Sequence, residues 1–184
     1  MGGEEAATRQ GARTAPACRA SAARVYAGPV AIILVRHAEA EDRALGTPDP
    51  ERTLVAAGRR AARATGRALA ALKVDPECVV SSPYPRARET AKIIAEALGA
   101  PLADDAALLG VEAGDLAGLA ERHGGELVLV GHEPDLSVLL HEVTGARVSF
   151  PKAGAAAIDP LAGSTGELRW FLRPRALALI AGGA

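Results

Sequence analysis

Five short apolar runs, each closed by polar or turn residues, set the rhythm of the chain from residue 30 onward. "VAIILV" (30–35), "CVVSS" (78–82) and "ELVLVGHEP" (126–134) are apolar throughout their central positions rather than alternating. That pattern predicts strands buried on both faces. The last two runs, "AAAID" (155–159) and "ELRWFL" (167–172), flank the turn-like "PLAGSTG" and predict a hairpin. Between the runs the apolar period lengthens to that of a helix. Leu54, Gly58, Ala61, Thr65, Ala68 and Leu72 share one predicted face within 54–74, with arginines between them. Ala87, Ala91, Ile94 and Leu98 share another, and Gly99 and Pro101 stop it. "GDLAGLAERHGG" (114–125) and "DLSVLLHEVTG" (135–145, Asp135 as N-cap) are shorter helices.

Strands that alternate with helices imply a three-layer α/β/α fold. Its central sheet is mostly parallel, with the hairpin as an antiparallel C-terminal edge. Residues 1–28 mix Ala, Gly and Arg without a periodic face and are expected to be a disordered extension. The domain is expected over 29–174, and 175–184 as a C-terminal helix or tail.

Composition narrows the function classes. With 21 basic and 22 acidic residues, the formal net charge is −1, so no general electrostatic grip on nucleic acid or an anionic membrane is expected. No apolar run nears the roughly 20 residues that span a bilayer. Cys18 and Cys78 lack metal-ligand spacing, and a reduced, cytoplasmic protein is the simpler reading, although a disulfide between them stays open. Neither a Gly-rich dinucleotide fingerprint nor a phosphate-binding G-x-x-x-x-G-K loop is present.

Chemistry gathers where the strands end. In parallel sheets, ligands bind at the carboxyl ends of the strands. Arg36 and His37 follow the first strand, Ser81 and Ser82 the second, and Gly131 and His132 the third; Arg86 lies in the first turn of the helix after the second. Two guanidiniums and two imidazoles make an anion pocket, and the arginine fork suits paired phosphate oxygens. A neutral imidazole beside such a phosphate is placed for attack on phosphorus.

The segments "LVRHAEA", "SSPYPRARET" and "LVGHEP", in this order and spacing, resemble the three signatures of the histidine phosphatase superfamily, which shares the phosphoglycerate mutase-like fold. The likeness runs from about Val30 to Leu172. The short chain and "FPKAGAAAID" before the hairpin look most like the small SixA-type phosphohistidine phosphatases. The resemblance implies His37 as the nucleophile that becomes phosphohistidine, Arg36 and Arg86 as the phosphoryl clamp, and His132 as a stabiliser of transition-state charge. It implies no metal or organic cofactor.

Ester-cleaving members of the family place a carboxylic acid between the second and third signatures. Here Asp104, Asp105, Glu112 and Asp115 are available, but none sits in a matching motif; Asp105 or Glu112 is the candidate if an acid exists. An alkoxide leaving group needs such a donor, worth on the order of 100- to 10,000-fold, whereas a protonated phosphoimidazole departs without one. Phosphohistidine on a protein, such as a histidine-containing phosphotransfer domain, is therefore the expected substrate. A small-molecule phosphatase for a nucleotide, sugar phosphate or anhydride is the alternative, and a non-catalytic phosphate-binding module is the reading from another class. A monomer or weak dimer is expected.

Other residues carry weaker readings. Ser82 is an N-cap or a phosphate contact, and Glu39 either orients substrate or pairs with an arginine. Arg88 is a partner for Glu89 or a solvated charge. His123 is a charge partner at a helix end, His141 packs or is exposed, and Lys152 is a loop lysine able to reach the crevice.

Overall fold

The computed structural model describes residues 32–42, 46, 48–160 and 165–182. The extension expected over 1–28 lies outside the described residues. Six strands form one sheet: β1 (Ile32–Arg36), β2 (Cys78–Ser81), β3 (Leu102–Asp104), β4 (Leu127–Gly131), β5 (Ala155–Pro160) and β6 (Gly166–Leu172). Their spatial order is β3-β2-β4-β1-β5-β6. The first four are parallel to one another, while β5 pairs antiparallel with β1 and β6 antiparallel with β5. The fold is thus the α/β arrangement expected, with the hairpin beside β1 and β6 as the edge. β3 was not anticipated: three residues, partly exposed, give no apolar run to detect.

Among the described residues, five α-helices cover the sheet: α1 (Ala56–Ala71), α2 (Pro85–Leu98), α3 (Asp115–His123), α4 (Asp135–Thr144) and α5 (Pro174–Gly182). One core packs Ile33, Val35, Val79 and Val130 against Leu69, Ala87, Ala91, Ile94 and Leu177 from α1, α2 and α5. The other packs Ile32, Leu34, Val80 and Leu129 against Leu116, Leu119, Leu136, Leu139 and Phe150. Alternate residues of each central strand feed opposite cores, which is why these strands are apolar at every position.

The buried face of α1 is turned from the predicted one. Gly58, Ala62, Thr65, Gly66, Ala68 and Leu69 are buried, while Leu72 is exposed. Gly58 and Gly66 set this rotation. A Cβ on Gly58 would lie 2.0 Å from the Glu39 carbonyl oxygen, and one on Gly66 would lie 2.8 Å from Ala97 Cβ. The glycines that weaken the helix as an isolated segment let it press against the segment after β1 and against α2. Two cap expectations are also corrected. α2 starts at Pro85 with Tyr84 before it, so Ser82 is not its N-cap, and Asp135 is the first residue of α4 rather than its cap. Cys78 is wholly buried; the other cysteine lies outside the described residues.

Candidate active site

β1 sits at the centre of the site because both neighbours fix its end. Arg36 is in register with Gly131 of β4. Just beyond, the His37 N–H donates to Gly131 O at 3.0 Å, tying the backbone of His37 to the residue before His132. On the other side, the Arg36 N–H donates to Gly154 O at 3.1 Å. The Ser82 N–H donates to Val130 O at 3.0 Å, so the end of β2 is held to β4 as well. Three strand ends therefore deliver their side chains to one place.

That place is a cavity of about 460 Å³ lined by Arg36, His37, Arg86 and His132, with Glu39, Glu41, Arg52, Glu133 and Lys152 among the other walls. His37, Arg86 and His132 are buried. The two imidazoles lie 5.1 Å apart between centroids.

Each cationic or imidazole group has a defined orientation. His37 Nδ1 lies 2.7 Å from its neighbour's carbonyl, Ala38 O. A carbonyl only accepts, so Nδ1 carries the proton and Nε2 keeps its lone pair. Arg86 Nε donates to that lone pair at 3.3 Å. The turn carrying His37 is anchored from α2: the Ala38 N–H donates to Thr90 Oγ1 at 3.0 Å, and that hydroxyl donates to Arg86 O at 2.7 Å. Arg36 Nη1 donates to Phe150 O at 2.6 Å. His132 Nε2 lies 2.8 Å from Ser82 Oγ, while Ser82 Oγ accepts from the Tyr84 N–H at 3.4 Å. Ser82 thereby holds the His132 ring in place at the end of β4.

Two buried nitrogens on these walls, Arg36 Nε and His132 Nδ1, have no hydrogen-bond partner among the described residues. Buried unpaired polar groups are uncommon and ask for a ligand. Burial first, then the charges of His132, Arg86 and Arg36, push the His37 pKa down to about 3, against the Ala38 hydrogen bond that raises it. His132 is lowered to about 4, chiefly by burial and then by Arg86, with Asp49 opposing. Both rings are neutral near pH 7, so His37 Nε2 is a lone pair facing a cationic wall.

The remaining candidates separate. Glu39 lines the cavity and its carboxylate pairs with Lys152 at 3.6 Å, with no arginine partner among the described residues. Ser82 serves His132. Asp105 and Glu112 do not line the cavity. Asp105 accepts from the Ala107 N–H and from Arg122, and pairs with His123 at 2.9 Å; these contacts hold its pKa below the ordinary value although burial acts the other way. Glu112 offers its N–H to Asp115. Neither is set to protonate a leaving group in the cavity. Arg88 pairs with Asp104, because Glu89 is taken by Arg59.

Sequence reasoning missed Arg52 and Asp49. The segment "TPDPERT" reads as a Pro-rich loop, yet Arg52 is buried and lines the cavity. The signal available was an acid three residues before an arginine in a segment braced by Pro48 and Pro50. Among the described residues, no group of three or more His, Cys, Asp or Glu side chains is placed to hold a metal ion.

A family model described as histidine phosphatase superfamily (branch 1) matches residues 32–127. The chain belongs to the histidine phosphatase superfamily. It is 33% identical over 139 residues to an uncharacterized protein of Picosynechococcus, covering 65% of this chain and 78% of that one. Its fold is similar to that of a protein from Agrobacterium tumefaciens described as a phosphohistidine phosphatase, SixA, with a TM-score of 0.67 and 26% identity over 79% of this chain and 99% of the other. A protein histidine phosphatase SixA complexed with tungstate shares the fold at a TM-score of 0.72 and 23% identity, over 80% of this chain and 99% of that one. The superfamily match and the SixA-type fold make the chain a phosphatase hydrolase. No helix among the described residues is long and apolar enough to cross a membrane.

Proposed function

We propose that the protein is a metal-independent phosphohistidine phosphatase that works through a phosphorylated His37. The observation that carries this reading is the His37 Nε2 lone pair, with its Nδ1 proton tied to Ala38 O, in a wall that also holds the buried Arg36 Nε–H, which has no partner among the described residues. In the first half-reaction a phosphoryl oxygen takes over the Arg86 Nε–H, which frees the lone pair. Nε2 then bonds to phosphorus as the bond from phosphorus to the substrate ring nitrogen breaks. A substrate ring already protonated at its other nitrogen departs as neutral imidazole, so no carboxylic acid is required. Arg36, Arg86 and His132 meet the equatorial oxygens, where charge develops. In the second half-reaction water bonds to phosphorus, the P–Nε2 bond breaks, and phosphate leaves with the water's proton shared out to solvent.

Support for a phosphoramidate rather than an ester comes from the carboxylates. The acids between the second and third signatures do not line the cavity; of the carboxylates that do, Glu39 pairs with Lys152, Glu41 Oε2 accepts from the Thr53 N–H, and Glu133 Oε1 accepts from the Ser137 hydroxyl and the Phe150 N–H. Likeness to proteins named phosphohistidine phosphatase supports the same substrate, a phosphorylated protein such as a histidine-containing phosphotransfer domain. In this reading the phosphatase domain spans 29–174, with 1–28 an extension and 175–184 a C-terminal helix or tail. A cytoplasmic location belongs to the same proposal.

The test compares turnover of a phosphohistidine-bearing protein, phosphoramidate, acetyl phosphate and a sugar phosphate. Wild-type protein should prefer the first two and, after quenching, carry an acid-labile, alkali-stable phosphoryl group. His37→Ala should lose both label and turnover. Efficient sugar-phosphate cleavage with no preference for phosphoramidates would establish the small-molecule ester phosphatase instead. Phosphate binding without label would leave a binding module.

A further inference from the structure

Arg86 is held from behind by a residue that does not line the cavity. Its Nε–H faces His37, while the other edge of the guanidinium meets Asp49: Nη1 donates to the Asp49 backbone oxygen at 2.5 Å and Nη2 to the carboxylate Oδ2 at 3.3 Å. All three nitrogens of a planar group are thereby assigned, and such a group has no rotation left about its last bonds. The second carboxylate oxygen of Asp49 takes a bidentate contact from Arg52, through Nε at 2.9 Å and Nη2 at 2.6 Å. Arg52 in turn donates through Nη1 to Glu41 O at 2.7 Å. One carboxylate thus lies between two buried guanidiniums that share a cavity wall. Without it, two like charges would face each other with little water to screen them.

We propose that Asp49 is a positioning residue for phosphoryl transfer: it aims the Nε edge of Arg86 at His37 and the incoming phosphoryl group, and it keeps Arg52 beside Arg86. The role rests on the phosphatase reading, in which Arg86 meets the phosphoryl oxygens. Asp49 acts through Arg86 and does not exchange a proton with substrate. Its backbone contact to Arg86 survives any substitution, so loss of the side chain loosens the fork rather than releasing it. A displacement of about 1 Å at a clamping group costs on the order of 100-fold, which sets the upper end of the expected loss.

The experiment compares wild type with Asp49→Ala and Asp49→Asn by two independent readouts. The first is kcat and KM for phosphoramidate and for aryl phosphates of graded leaving-group basicity. Asp49→Ala should lower kcat/KM about 10- to 100-fold, mostly in kcat and equally across leaving groups, and Asp49→Asn should fall between. The second is the arginine side-chain NMR spectrum, in which the Arg86 Nε–H line, assigned with Arg86→Lys, should exchange faster with water in Asp49→Ala. This second readout needs no turnover, so failure of the phosphatase reading and failure of the positioning role are told apart. If Asp49→Ala does not fold, Asp49→Asn carries both measurements. A loss that grows with leaving-group basicity would make Asp49 a proton donor and overturn the proposal. So would an unchanged Arg86 Nε–H line, or kcat/KM within twofold of wild type in a folded variant.

Discussion

Thr90 links the chemistry to the fold through two hydrogen bonds, and Thr90→Val tests that link with almost no change in shape. The side chain is completely buried on α2. Its hydroxyl accepts from the Ala38 N–H at 3.0 Å and donates to the Arg86 carbonyl at 2.7 Å. Valine replaces the hydroxyl by a methyl of similar size, so no cavity opens and the effect is electrostatic. The Arg86 carbonyl keeps its place at the start of the helix, but the buried Ala38 N–H loses its acceptor, a cost of about 1–3 kcal/mol. For a chain of this size the midpoint of thermal unfolding moves about 2–4 °C per kcal/mol, so it should fall by roughly 2–12 °C. Activity should fall further than stability alone implies. Ala38 supplies both the N–H held by Thr90 and the carbonyl that orients His37 Nδ1. A relaxed Ala38 peptide turns the imidazole, and kcat should drop about tenfold or more with KM little changed. Thr90→Ser keeps the hydroxyl and should keep most of kcat. The assay is calorimetry for the midpoint and single-turnover labelling of His37 for the chemistry. If Thr90→Val melted within about 1 °C of wild type and labelled at the wild-type rate, the argument that this bond holds the nucleophile would be wrong.

Gly58→Ala should damage the same turn from the other side: its Cβ would meet the Glu39 carbonyl oxygen at 2.0 Å, and backbone rather than a flexible side-chain tip must move. A loss of about 1–3 kcal/mol, read by denaturant unfolding, should accompany reduced labelling of His37. Asp105→Asn should leave kcat for phosphoramidate within about twofold while lowering stability by on the order of 1 kcal/mol, because its contacts to Ala107, Arg122 and His123 brace α3 and make no contact with the cavity; a collapse of kcat would restore it as a proton donor. His37 and His132, with pKa values of about 3 and about 4 in the fold, should show no ring titration by NMR between about pH 5 and 8. Both rings take up protons in the unfolded chain below about pH 6.5 while staying neutral in the fold, so stability should fall as pH drops from there toward 4. A ring that titrates near 6.5 in the folded protein would refute the burial argument.

Much of this arrangement was legible in the chain itself. Runs such as Ile32–Val35 and Leu127–Val130 are apolar at every position, short and rich in β-branched residues, the pattern of a strand covered on both faces. Because parallel strands present their ends on one edge of the sheet, the residues that follow those runs, His37 and His132 among them, were already assigned a common location. Other features depend on contacts between distant segments and left no local signal. β3 exists because Val79, Val80 and Ser81 offer a free sheet edge to Leu102–Asp104, not because those residues form a run of their own. The burial of Arg52 and the grip of Asp49 on Arg86 arise where the segment around Pro48 and Pro50 folds over the crevice.

Asp105 marks the boundary between the two kinds of information. Its type and its place between the second and third signatures qualify it as an acid, and its position off the cavity wall, held by Arg122 and His123, removes it from the chemistry. Periodicity along the chain thus determined the layers, the strand ends and the residue types that meet there. Orientation was decided in three dimensions: which ring nitrogen holds the proton, which edge of a guanidinium faces the nucleophile, and which carboxylate is already occupied. The reason is physical. Burial of apolar surface depends on the spacing of side chains and is written locally, whereas a hydrogen bond depends on the position and direction of a partner that the chain supplies from dozens of residues away.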